Sequence, residues 1–405
     1  MSQFPSIHGR SAGRARDVAL RATVLLVAVL AASGCSNIRG WFGGGDDKKK
    51  ATEPAELTEF APSATATRLW TARAGKGEER IGARQGPAIA DGKVYAAAIE
   101  GGVRAFDLQS GAVAWHYDSD LALSGGPGVG DGVVAVGGLE GDVIALDAAT
   151  GAEKWKAKVN NEIIAAPAVG QGLVLVHSND GRVTAFDLAS GERRWFWNHD
   201  QPPLTVRGSA GITLGPGYVF VGNDDGTVSA LALADGRPLW QEQVAAAEGR
   251  SELDRMADVD GAPVLDGAVL YATSYKGKTV AIDAPGGRVI WSNDSGGAGV
   301  VGLGGDKVAV SDRNGVVYGI DKASGGGMWQ QPVLARRDLT SAAVQGDYAV
   351  VGDYDGYLHW LKLTDGALAA RIRVGRDALR ATPVVSDGVL VVQDIDGELS
   401  AYRVQ

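Results

Sequence analysis

The 405-residue chain is poor in the residues from which most catalytic and metal sites are built. It carries one cysteine, five histidines and three methionines. A single cysteine excludes an internal disulfide framework and a vicinal cysteine pair. The histidines, His8, His116, His177, His199 and His359, are scattered, and no His, Cys, Asp or Glu spacing matches a zinc site. His177 and His359 fall in strand-like segments and read as framework. Gly-x-x-x-x-Gly-Lys is missing, Gly-x-Ser-x-Gly occurs only at 9–13 within the leader, and Gly-x-Gly-x-x-Gly occurs only at 297–302 with no helix-like run after it, so none reads as a phosphate loop, a hydrolase nucleophile or a dinucleotide site. Positive charge is short as well, with 39 Lys and Arg against 48 Asp and Glu and a net charge of -9. Residues 1–34 hold Arg10, Arg14, Arg16 and Arg21 against Asp17, a balance of +3 that leaves -12 for the remainder. A nucleic-acid partner would demand the reverse. The main apolar run, 22–32, is too short for a permanent membrane helix.

That run has a different use. Basic residues end at Arg21 just before it, and Ser33-Gly34-Cys35 follows it. A charged start, a short apolar core and small residues make a secretory leader. The lone cysteine directly after it resembles a bacterial lipobox, with Ala32 where Leu is usual. The resemblance implies that Cys35 is lipidated and becomes the first residue of the mature protein. Ser36, in place of an Asp that would favour inner-membrane retention, implies sorting to the outer membrane. Residues 36–67 are polar and irregular, with Gly43-Gly44-Gly45-Asp46-Asp47-Lys48-Lys49-Lys50 leading into a Thr, Ala, Pro and Glu mixture. They read as a flexible tether. The expected organisation is a leader over 1–34, a lipidated tether over 35–67 and a folded unit over 68–405.

The folded unit is rich in Gly (59 in the chain) and Trp (10), and it repeats. Six segments open on Gly and close on Trp 14 positions later, at Trp115, Trp155, Trp195, Trp240, Trp291 and Trp329. A seventh begins at Gly356 and reaches Ala370 where Trp is expected. An eighth begins at Gly397 and stops before its Trp, while Leu69-Trp70 stands alone at the other end. The count predicts an all-β, eight-bladed propeller of four-stranded antiparallel blades, its ring closed by the N- and C-terminal strands. In the third unit the expected strands are 165–169, 173–177, 182–186 and an outer strand that begins over Glu192 to Trp195. Asn179-Asp180-Gly181 forms a hairpin that tolerates positive φ. The Trp side chains are expected to pack between blades as core rather than to form a site. Acidic turns such as Asp224-Asp225-Gly226, Asp353-Tyr354-Asp355-Gly356 and Asp394-Ile395-Asp396-Gly397 occupy the same hairpin position, so turn chemistry accounts for them without calcium.

Function on a propeller is sought in its irregular loops. From each Trp to the position equivalent to Pro167 the count is 12 after Trp115 and Trp155, 10 after Trp291, and 13 after Trp329 and Ala370. It is 17 after Trp195 and 23 after Trp240; the closing blade also gives 17 after Trp70. The connectors 196–211 and 241–262 are adjacent and lie on one face. Their apolar residues, flanked by an Arg and by carboxylates, describe either a small interface patch or side chains folded back on the disc.

The motif Ala-x-Asp-x-x-Ser/Thr-Gly-x-x-x-Trp resembles the repeat of pyrroloquinoline-quinone-type propellers. Repeats of the WD40 kind would place Asp after the Trp, where this chain has His116, Lys156, Phe196, Gln241, Ser292 and Gln330. Quinone-dependent dehydrogenases with this repeat typically set a vicinal cysteine pair against the cofactor and carry larger inserts. This chain has neither, and no cofactor or metal is expected. The lipobox, the eight repeats, Leu-x-Val-Arg-Gly from Leu204, the segment Glu-Leu-Asp-Arg-Met-x-Asp-Val-Asp over 252–260 and the stretch 350–360 together resemble the BamB family. These are the propeller lipoproteins of the outer-membrane β-barrel assembly machinery, and the resemblance spans about residues 35–405. It implies a non-enzymatic periplasmic scaffold, lipid-anchored to the outer membrane and docked on the periplasmic domains of BamA. Its contact residues would be Leu204, Val206 and Arg207 on one connector and Asp258 and Asp260 on the other, with Val206 where Leu is common. It further implies a surface offered to unfolded outer-membrane barrel proteins. The alternative, from another class, is a lipid-anchored quinoprotein oxidoreductase on the same propeller.

Overall fold

Each repeat unit becomes one twisted sheet because its apolar runs are too short for helices and are separated by Gly turns. The computed structural model describes residues 53–77, 84–205, 210–297 and 299–405. The leader, Cys35 and the segment up to residue 52 lie outside them, as do Val206 and Arg207. Eight four-stranded antiparallel sheets make eight blades, seven of them from strands consecutive in sequence. In the eighth, Ala66–Arg73 pairs with Glu398–Val404, from Ala66 opposite Val404 to Arg73 opposite Glu398. The ring is therefore closed by the two ends of the chain, as the repeat count predicts, and the only strand edges left are the short ones of the blades.

Blade 3 shows how the repeat folds. Its strands are Ala168–Gly170, Leu173–Ser178, Arg182–Asp187 and Arg193–Asn198. The inner strand starts later than the sequence suggests, because Pro167 has no N–H to give to a ladder. The outer strand begins where expected and runs on past Trp195 to Asn198. In all eight blades the ladder between third and outer strands slips by one residue beside the Trp position; in blade 3 Ala185 faces Trp195 and Phe186 faces Arg193. Such a bulge re-aims side chains locally. The middle strands are buried on both faces, as in Val174, Leu175, Val176, Val183, Ala185 and Phe186.

The Trp side chains join blade to blade. Each indole Nε1 donates to a backbone carbonyl in the third-to-outer turn of the next blade: Trp70 to Leu108, Trp115 to Ala148, Trp155 to Leu188, Trp195 to Leu233, Trp240 to Ala284, Trp291 to Lys322 and Trp329 to Leu363, all at 2.9–3.0 Å. The glycine of that turn lies flat on the ring. A Cβ at Gly191 would come within 2.6 Å of Trp155, and one at Gly236 within 2.4 Å of Trp195. The turn is also held by its Asp: Asp187 Oδ1 accepts from Ala189 N, Ser190 N and Ser190 Oγ. The repeated Asp, Ser or Thr, Gly and Trp are thus parts of one inter-blade joint.

The eighth joint differs. Blade 8 has no third-to-outer turn, because its third and outer strands come from opposite chain ends. Where a Trp would point, Ala370 is buried among Ala64, Trp360, Val374 and Tyr402. Trp360 and Tyr402 meet edge to face at 6.1 Å, and Trp360 Nε1 donates to Gln345 Oε1. Residues 54–65, within the segment read as a tether, belong to the same compact unit as the blades and lie along the outer side of blade 7. Among the described residues no helix is long and apolar enough to cross a membrane.

Candidate functional site

Antiparallel order fixes which loops share a face. Second-to-third hairpins and outer-to-inner connectors lie at the same ends of their strands, and third-to-outer turns lie at the other. The connectors after blades 3 and 4 therefore meet the hairpin Asn223–Gly226 of blade 4, which stands between them.

The first connector leaves the outer strand at Asn198. His199 and Gln201 tie it to the hairpin: His199 Nε2 is 2.9 Å from Asp225 Oδ2, and Gln201 Nε2 donates to Asp224 Oδ2 at 2.8 Å. The His199 ring also stacks on Trp197 with centroids 5.4 Å apart. The hydrogen bond to Asp225 raises the His199 pKa against the cost of burial. Burial acts to raise Asp225, but its bonds with His199 and Thr227 hold it below the ordinary carboxylate value. Beyond this brace the connector turns outward, and Leu204 is 40% exposed.

The second connector carries a one-turn helix, Glu252–Arg255. Ser251 caps it, and the Asp254 side chain answers to the Ser251 N–H, closing a capping box. Arg255 pairs with Glu252 at 2.9 Å. Leu253, the apolar residue of the turn, is 71% exposed. After Met256 the chain dives inward. Ala257, Asp258 and Val259 are buried, with Val259 N donating to Asn223 O and Asp258 O accepting from Tyr275 N. The connector is thereby held between the hairpins of blades 4 and 5.

The sequence-derived candidates separate on this frame. Leu204 stands outside, while Asp258 is fully buried and Asp260 mostly so. Val206 and Arg207 lie outside the described residues. Asp258 and Asp260 converge with Asp224, one oxygen from each lying within 4.8 Å of the others. Burial, then the Asp258 charge, pushes Asp224 up to about 6. Burial, then Asp258 and Asp224, pushes Asp260 up to about 8, with Arg84 opposing. Like carboxylates this close relieve repulsion by holding a proton, by a cation or by a nearby basic side chain. Among the described residues this is the one cluster of ligand-type groups close enough to share an ion.

His199 and Gln201 were not singled out as site residues by the sequence, and Asp224 and Asp225 only as a hairpin turn. Asp224-Asp225-Gly226 serves as a hairpin, as expected, since Asp225 Oδ1 accepts from Thr227 N and Oγ1. It also joins both long connectors. The available signal was a His at the root of the one long connector that follows a Trp-rich outer strand.

A family profile described as outer membrane protein assembly factor BamB matches residues 99–331 and 313–405. The protein of that name from Xanthomonas campestris pv. campestris is 58% identical over 398 residues, covering 96% of this chain and 98% of its own. The crystal structure of BamB from Moraxella catarrhalis superposes with a TM-score of 0.75 at 28% identity, over 84% of this chain and all of that one. A europium-containing methanol dehydrogenase also superposes, with a TM-score of 0.69 over 84% of this chain and 93% of its own, but at 15% identity it shares the fold alone. With two connectors gathered on one hairpin of an eight-bladed ring and this likeness along nearly its whole length, the chain belongs to the family of outer membrane protein assembly factors called BamB.

Proposed function

We propose that the chain is a non-enzymatic, lipid-anchored scaffold on the periplasmic side of the outer membrane, docking through the two long connectors onto the periplasmic domains of BamA. The observation that carries this reading is the pair of exposed leucines, Leu204 and Leu253, on adjacent connectors of one face. Exposed apolar side chains ringed by charged groups have the make-up of an interface patch, an apolar centre with a polar rim. Leu204, Val206 and Arg207 supply direct contact in this reading. Asp258 and Asp260 hold the second connector in shape from beneath, as their burial favours. The lipid on Cys35 keeps the disc at the membrane, and the rest of the face is offered to unfolded barrel proteins.

The test is capture of purified BamA periplasmic domains. Leu204→Ala with Arg207→Ala is expected to weaken binding about thirtyfold or more, corresponding to roughly 2 kcal/mol, with an unchanged melting curve. Asp258→Ala with Asp260→Ala is expected to reduce binding together with faster proteolysis within 241–262. Glu192→Ala, in an exposed turn of the opposite face, serves as the control. Normal binding by the first pair, or loss only through unfolding, overturns the proposal.

A further inference from the structure

The segment 54–65 carries a set of contacts that a free linker would not need. It starts on the connector face and climbs the outer side of blade 7 to the strand that closes the ring. At its start, Ala55 N donates to Ala335 O, and Arg337 Nη1 donates to Ala55 O at 3.0 Å. Leu57 packs against the apolar cluster of Leu334, Ala349 and Leu361. Arg371 Nη1 donates to Thr58 O at 2.9 Å, and its guanidinium lies 5.1 Å from the centre of the Phe60 ring. At its end Ser63 N and Ala64 N both donate to Ala369 O, and Thr65 exchanges two backbone bonds with Gln405.

The two arginines are set by a buried ionic network. Asp353 Oδ2 accepts from Arg337 Nε at 2.7 Å and lies 2.9 Å from His359 Nε2. Arg371 Nε donates to His359 Nδ1 at 3.2 Å, which places the imidazole proton on Nε2 and leaves the ring neutral. Asp353 and His359 are fully buried, and Arg337 is 4% exposed. Asp353 is shared between two guanidinium groups, directly with Arg337 and through His359 with Arg371, and Asp355 lies 3.6 Å from Arg337 Nη2 at the rim of the network. Arg337 is buried and Arg371 partly so, and a guanidinium withdrawn from water needs further acceptors. The carbonyls of Ala55 and Thr58 supply them.

We propose that residues 54–65 form a strap, clamped by Arg337 and Arg371, that fixes where the lipid-anchored end of the chain joins the propeller: on blade 7, entering from the face that carries the two long connectors. This rests on the reading of Cys35 as lipidated. The strap then leaves residues 36–53 as the only span between lipid and clamp, about 60 Å when fully extended at roughly 3.3–3.6 Å per residue. Releasing the strap adds twelve residues, about 40 Å more. Arg337 and Arg371 are positioning residues that limit how far, and from which side, the connector face is held from the membrane.

Two measurements on the full-length chain test this. The first is hydrogen exchange. In the wild type the amides of Ala55, Ser63 and Ala64 are expected to exchange at least tenfold more slowly than in an unstructured peptide. Leu57→Asp with Phe60→Ala, which alters only the strap, should abolish that protection and leave blade amides unchanged; Arg371→Ala should do the same from the blade side. Unprotected strap amides in the wild type overturn the proposal whatever the protein's partner is. The second is outer-membrane barrel levels in cells after deletion of 44–53. With the strap intact the shortened chain is expected to lower those levels severalfold, and adding Leu57→Asp with Phe60→Ala should restore them. A deletion equally harmful or equally harmless with and without the strap overturns it. Failure of the docking reading is distinguishable, because it shows as connector variants that bind and assemble normally while the strap stays protected.

Discussion

Gly172 and Gly191 lie in the same blade with nearly the same backbone, at φ of 78° and 72°. A Cβ added at Gly172 meets nothing within 4 Å, whereas one added at Gly191 meets the Trp155 ring at 2.6 Å. Replacing each by Ala therefore imposes the same left-handed strain but only one of them presses on the inter-blade joint. Left-handed backbone costs an L-residue about 1–2 kcal/mol. Overpacking adds roughly 1–3 kcal/mol when neighbours cannot give way, and Trp155 is pinned by its own bond to Leu188 O at 2.9 Å. Gly172→Ala is expected to cost about 1–2 kcal/mol from backbone strain alone, and Gly191→Ala about 2–5 kcal/mol from strain and overpacking together. The assay is urea unfolding followed by tryptophan fluorescence and circular dichroism, with slopes compared as well as midpoints. Repeating Gly191→Ala in a Trp155→Leu background closes a double-mutant cycle. The excess over Gly172→Ala should largely vanish there. Equal losses for the two glycines in the wild-type background, or no coupling to Trp155, would refute the joint as described.

Two further expectations follow from buried groups. Ala370→Trp, which restores the repeat residue to blade 7, should destabilise the protein by roughly 1–3 kcal/mol, since Ala370 packs in the cluster of Ala64, Trp360 and Tyr402 and no glycine turn waits to receive an indole; a raised melting temperature would count against this. In an NMR titration His199 should titrate above the ordinary imidazole value, raised by its bond to Asp225, and His177 and His359 below it, lowered by burial. The signs differ accordingly: His199 contributes stability present below about pH 6.5 and lost as pH rises through its folded value, while His177 and His359 favour the fold above that point and oppose it as pH falls. His359 titrating above His199 would contradict the neutral ring placed between Asp353 and Arg371.

The ring was legible in the sequence because its joint is periodic. Gly, Asp, Ser or Thr and Trp recur at constant offsets since one geometry recurs, and Trp70 at one end with GELSAYRVQ at the other marks the shared blade. The bare position at Ala370 was visible too, but its cause was not. The missing glycine turn of blade 8 is a consequence of closure, and it becomes visible only when Ala66–Arg73 is seen beside Glu398–Val404.

The connectors were legible as exceptions but not as shapes. Length marked 196–211 and 241–262, and charge marked Asp258 and Asp260, yet no period relates a connector residue to inside or outside. Leu253 and Asp258 are five positions apart in one charged segment, and one is 71% exposed while the other is fully buried. What divides them is the short helix that the capping box at Ser251 starts and that stops at Arg255 with Met256 as its C-cap, and the bond from Val259 N to Asn223 O, which draws the next residues under the hairpin. The segment 54–65 makes the same point from the opposite direction. Arg337 and Arg371 hold it through the carbonyls of Ala55 and Thr58, and every residue owns a carbonyl. Composition therefore reports a linker, and only Leu57 and Phe60, half-buried in a run otherwise of small, polar and Pro residues, betray a segment with something to pack against.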